Sequence, residues 1–69
     1  MKGLSGRAFA KLAERHGWRL LRITGSHHIY GKTGQDERLS IPIHGNRTLK
    51  TGLQRHFMKV AGLSDEDIV

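Results

Sequence analysis

No cysteine occurs among the 69 residues, so neither a disulfide nor a thiolate metal site can staple a chain whose size alone makes folding marginal. A core this small yields about 3–5 kcal/mol of net stability at most, and the fold buries only about 60% of the surface that the unfolded chain exposes. There is room for one domain, residues 1–69, and none for a second core. The same absence removes a cysteine nucleophile. No apolar run approaches the roughly 20 residues of a membrane span, and no basic start, apolar stretch and small-residue cleavage site marks a signal peptide. The expectation is a soluble, cytoplasmic protein without membrane association.

The apolar pattern then divides the chain. Phe9, Leu12, Ala13 and His16 follow the i, i+3, i+4, i+7 spacing of one helical stripe within residues 5–16, with Leu4 and Ala8 beside it. Ser5 is placed to cap its start and Gly17 its end. Residues 18–24 (WRLLRIT) read as a strand, Gly25-Ser26 turns the chain, and residues 27–32 (HHIYGK) read as a second strand. After a turn at Gly34-Gln35-Asp36, Leu39, Ile41 and Ile43 alternate with Arg38, Ser40 and Pro42. That alternation predicts a strand over 37–43 with one wet face. Pro42, with no N–H for a ladder, belongs at a sheet edge or a strand end.

A polar loop at 44–50 (HGNRTLK) leads to a second helix over about 49–61, with Leu49, Leu53, Phe57 and Val60 on its stripe and Gly62 as terminator. Ser64-Asp65-Glu66-Asp67 has the form of a cap for one last short turn. The order α-β-β-β-α with hairpin-length connections predicts an α+β two-layer sandwich. Its sheet is an antiparallel three-stranded meander with both helices on the apolar face and the other face open. Trp18 is expected in the core, whereas Tyr30 is as well suited to packing as to stacking on an unpaired base.

Charge narrows the partners. Twelve Lys and Arg stand against six Asp and Glu, a formal net charge of +6. Three of the acids, Asp65, Glu66 and Asp67, lie together, so residues 1–64 hold twelve cations against three acids, a charge of +9. A small domain with that excess attracts phosphate polymers through counterion release. Nucleic acid is the expected partner, and a merely solubilising basic surface is the alternative. Arg7, Lys11 and Arg15 form a basic ridge along the first helix.

Chemistry then falls to His, Ser, Tyr and the few carboxylates. Five histidines are present, and an imidazole both takes and gives a proton near neutrality. RNA carries its own nucleophile, the 2′-hydroxyl, so a minimal ribonuclease needs one well-placed His and cations near the phosphate. The paired carboxylates of a two-metal nuclease are lacking. His27 and His28 open the second strand, where consecutive side chains point to opposite faces and cannot chelate together. Period two groups His27 with Ile29 and His28 with Tyr30 without saying which face is wet. If Ile29 faces inward, His28 is the more exposed ring, and a role for His27 requires the sheet's end. The bland alternative is a ring that is simply hydrogen-bonded there.

A metal held by His27, His28 and His44 is a weaker reading, with no His-x-x-x-His and no adjacent carboxylate. A Ser26–His27 nucleophile pair lacks an elbow motif and an orienting acid. His16 reads as a packing or capping residue and His56 as a cation at a helix C-terminus. No metal, cofactor or small-molecule ligand is expected.

Residues 17–30 (GWRLLRITGSHHIY) resemble the signature of HicA-type (YcfA-like) toxins, the ribonuclease half of HicAB toxin–antitoxin modules. Residues 41–45 (IPIHG) followed by 49–53 (LKTGL) are similar to that family's third strand, loop and second-helix start, and residues 54–64, ending KVAGLS, to its close. The resemblance runs from about residue 5 to residue 64. It implies a fold like that of a double-stranded-RNA-binding domain. It also implies an endoribonuclease that cuts messenger RNA without a metal and blocks translation until a HicB-type antitoxin neutralises it. The family's catalytic His, the one in Gly-Ser-His, maps onto His27, with Gly25, Ser26 and His28 in support. Arg7, Lys11, Arg22, Arg47 and Lys50 are the cations expected to hold RNA phosphates. Two rivals rest on the same charge: a non-catalytic RNA-binding module, and a small domain whose basic face meets an acidic protein.

Overall fold

The computed structural model describes residues 1–68. Helix α1 (Gly6–Arg15) is followed by strands β1 (Arg19–Thr24), β2 (His27–Gly31) and β3 (Leu39–Pro42), helix α2 (Thr51–Ala61) and a 3-10 turn at Asp65–Ile68. The strands lie in the order β1-β2-β3, and both pairs are antiparallel. This is the α-β-β-β-α arrangement of an α+β fold that the periodicities predict.

Local chemistry accounts for most boundaries. Ser5 is extended, and its Oγ accepts a hydrogen bond from the Ala8 N–H at 3.1 Å, satisfying one of the donors that a helix start leaves orphaned. Gly6 is buried because α1 begins directly against the end of β3: a Cβ there would run into the Pro42 carbonyl. Gly62 closes α2 in the left-handed conformation, as expected. In the last turn Asp67 Oδ2 accepts from the Ser64 N–H at 2.8 Å, which is the predicted cap.

Both helices and all three strands are shorter than their sequence patterns by a residue or more. Trp18 precedes β1 and fills the core instead of pairing. Residues 37 and 38 do not join β3, because the Arg38 guanidinium bonds the Gln35 and Asp36 carbonyls and closes the preceding turn. Helix α2 starts at Thr51, not at 49. The Leu49 N–H donates to the Leu4 carbonyl at 2.8 Å, and Thr48 bridges Ser5, so this stretch is held extended against the chain's beginning. Leu49 is buried there without being helical.

The core draws Phe9 and Ala13 from α1, Tyr30 from β2, Leu39 and Ile41 from β3, and Phe57 and Met58 from α2, with Trp18 between the layers. One apolar cluster shared by both helices and one side of β2 and β3 places both helices on the same face. The Phe9 and Phe57 rings meet at a centroid distance of 5.6 Å in a tilted arrangement. Gln54 of α2, which the apolar stripe does not include, is fully buried. The helices leave β1 uncovered: all six of its residues are exposed, Leu20, Leu21 and Ile23 among them.

Candidate active site

Sheet register decides which histidine faces solvent. Tyr30 pairs with Leu39 and His28 with Ile41, and Tyr30, Leu39 and Ile41 all lie in the core, so this set points toward the helices. His27, Ile29 and their partners Pro42 and Ser40 therefore occupy the open face. His27 is exposed, whereas His28 is half-buried. Ile29 faces outward, and the ambiguity of period two is resolved in favour of His27, which also stands at the sheet's end.

The turn before His27 joins β1 to β2 through Gly25 and Ser26, between the paired residues Thr24 and His27. Gly25 has φ +58, and a positive φ at the first position of a two-residue hairpin turn favours glycine while matching the strand twist. On the far side, the Ile43 N–H donates to the Ser26 carbonyl at 2.8 Å, carrying the ladder one bond past the end of β3. That bond draws the next residue in: His44 Nε2 lies 3.4 Å from Ser26 Oγ. A turn closed by the Arg47 N–H on the His44 carbonyl, at 3.0 Å, then folds Arg47 back toward the same place.

The result is a groove of about 290 Å³ lined by Pro42, His44, Arg47, Thr48, Leu49, Lys50 and Leu53. Its rim is Pro42, the strand partner of His27. On the other flank Arg22, paired with Ile29, shares the open face with His27 two pairs further along the sheet. Cations therefore stand on two sides of an exposed imidazole: Arg22 on the sheet, Arg47 and Lys50 in the groove beyond Pro42.

Other expected residues lie elsewhere. Arg7 is exposed in the first turn of α1, next to Gly6 and so near the Pro42 corner. Lys11 lines a separate groove with Arg15 and Asp67, between α1 and the last turn. His16 ends α1, and its Nε2 is 3.9 Å from Asp67 Oδ1. Tyr30 cannot stack on a base. It is 3% exposed, and its hydroxyl donates to Glu14 Oε2 at 2.8 Å. Burial, and next the Glu14 carboxylate, push its pKa up to about 12. Trp18 is likewise buried, with Nε1 lacking a partner. His27 and His28 are on opposite faces, and among the described residues no three of His, Asp and Glu converge as a metal-ligand set.

His44 is the residue at this corner that the sequence pattern considers only as a weak metal-ligand candidate. Its signal is present but faint: it stands two residues beyond the proline that faces His27.

A family model described as the HicA toxin of bacterial toxin-antitoxin matches residues 6–63. The chain belongs to the HicA toxin family. Its role is that of a toxin, and its partner in the general scheme of such modules is an antitoxin. The match spans both helices, the whole sheet and every residue of the groove, so the corner around His27 is part of the HicA domain and not an appendage to it. No curated protein matches this HicA toxin at a significant level. No helix among its described residues is long and apolar enough to cross a membrane.

Proposed function

We propose that this HicA toxin is a metal-independent endoribonuclease that cleaves messenger RNA in the cytoplasm, arrests translation, and is neutralised by a HicB-type antitoxin. The observation that carries the proposal is the exposure of His27 on the open face of the sheet, between Arg22 and the groove of Arg47 and Lys50. The 2′-hydroxyl attacks the adjacent phosphorus, and the bond to the 5′-oxygen breaks. The products are a 2′,3′-cyclic phosphate and a free 5′-hydroxyl. One proton leaves the attacking oxygen and one reaches the departing oxygen; His27 moves one of the two. The cations hold the phosphate and offset the negative charge that grows on its oxygens as the transition state forms. Gly25 and Ser26 set the ring's position through the turn, and His28 anchors the same strand from the helix side.

The test is cleavage of a defined messenger RNA by purified protein in excess chelator, comparing wild type with His27→Ala and His28→Ala. Chelator-resistant cutting that falls by a factor of about 10²–10⁴ in His27→Ala, the usual worth of a proton carrier, supports the proposal. Retention of RNA without cutting by wild type identifies a binding module instead. Full activity in His27→Ala with loss in His28→Ala moves the chemistry one residue along the strand.

A further inference from the structure

Transesterification needs two proton transfers, and the sheet corner holds a second imidazole, His44, whose Nε2 lies 3.4 Å from the hydroxyl of Ser26, the residue before His27. We infer that His44 is the second proton carrier of the site and that Ser26 is the positioning residue that holds its ring. The inference rests on the ribonuclease reading and deepens it.

Three observations converge. The Ile43 N–H bond to the Ser26 carbonyl fixes the backbone on either side of the corner, so the chain leaving β3 cannot swing away from the turn that carries His27. The Ser26 hydroxyl, one residue before His27, contacts His44 Nε2 at 3.4 Å. A contact of that length suits a free enzyme, since catalytic hydrogen bonds commonly tighten only around bound substrate. Finally, His44 is exposed and lines the groove that also holds Arg47 and Lys50, where a phosphate would be attracted. A ring kept only for packing would be buried, and a solvated loop ring would have no reason to sit against a hydroxyl at the mouth of a basic groove.

The charged groups facing His44 are Arg47 and Lys50, with His27 across Pro42; no carboxylate is among the groove's lining residues. In the reactive state one of the two imidazoles is neutral and one protonated. The neutral ring takes the 2′-hydroxyl proton as the P–O2′ bond forms. The protonated ring gives its proton to the 5′-oxygen as the P–O5′ bond breaks. The pair ends with its charges exchanged, and no metal or other reactant is consumed.

The experiment compares wild type, His44→Ala, His44→Gln and Ser26→Ala for cleavage of one RNA across pH, with affinity for the same RNA measured in parallel. Gln keeps a side-chain partner for Ser26 but cannot carry a proton. The expected result is a bell-shaped wild-type rate profile. Both His44 variants should fall by more than tenfold, toward the factor of about 10²–10⁴ typical of general acid–base loss, lose one limb of the bell, and keep their affinity within a few-fold. Ser26→Ala should keep both limbs at a reduced rate. Cleavage by His44→Gln within tenfold of wild type, or a loss matched by an equal loss of affinity, overturns the inference while leaving His27 in place. A wild-type protein that cuts no RNA overturns the ribonuclease reading, and this inference with it.

Discussion

The Tyr30 hydroxyl donates to Glu14 Oε2 at 2.8 Å and ties β2 to α1 at the edge of the core. Burial and the facing carboxylate both favour the neutral phenol and raise its pKa from 10.0 to about 12. A folded-state value above the unfolded one means that the tyrosine's contribution is whole below about pH 10 and is lost as pH rises through about 12. Tyr30 is the only tyrosine, so its phenolate absorbance reports the shift directly and should develop near pH 12 in the folded protein. Denaturant titrations should show wild type losing on the order of 2 kcal/mol more than Tyr30→Phe between pH 10 and 12. Parallel pH profiles for the two proteins would refute the assignment.

Gln54 clamps the beginning of the chain. Its Oε1 accepts from the Leu4 N–H at 2.8 Å, and its Nε2 donates to the Lys2 carbonyl at 2.7 Å. Gln54→Leu keeps the volume but leaves both backbone groups unpaired next to a full core. It should lower stability by about 2–3 kcal/mol, read by urea denaturation, and the Leu4 amide should exchange with solvent markedly faster.

Two glycines in helices respond oppositely to alanine. At Gly6 a methyl group meets the backbone carbonyl of Pro42, which no side-chain rotation can relieve, so Gly6→Ala should cost about 1–3 kcal/mol. At Gly52, in the first turn of α2, nothing lies within 4 Å of the new atom, and alanine should gain up to about 0.5–1 kcal/mol from helix propensity. Thermal unfolding of the two variants should shift in opposite directions.

The groove's cations predict a salt signature. Removing Arg47 and Lys50 together should weaken RNA binding at all sequences. It should also flatten the plot of log affinity against log salt by about 0.7 for each single-strand phosphate that the variant no longer neutralises. Lys11→Ala, in the separate groove beside the last turn, should change that slope less. Binding titrations at several salt concentrations, in chelator, measure both.

Elements defined by short-range chemistry are legible in the sequence. The Phe9–Leu12–Ala13 stripe, the Ser5 cap, the Leu39–Ile41 alternation and the Gly62 stop each depend on residues a few positions apart, and each is where periodicity puts it. The same locality explains the misplaced boundaries. Leu49 satisfies the helical stripe but is held extended by Leu4, forty-five positions earlier, and Gln54 is polar yet buried because residues 2–4 supply its partners.

The pattern of side chains along the chain determined the order of elements, the basic charge and the family, because helix and strand periods, turn chemistry and net charge are properties of neighbouring residues. Which face of β2 is wet, and which imidazole meets the turn before His27, depend instead on pairings across the sheet. Tyr30 must choose the core before His27 is turned outward, and His44 meets Ser26, eighteen positions away, only once the third strand has docked. A period of two fixes alternation but carries no sign, and only the burial of one face against the helices supplies it.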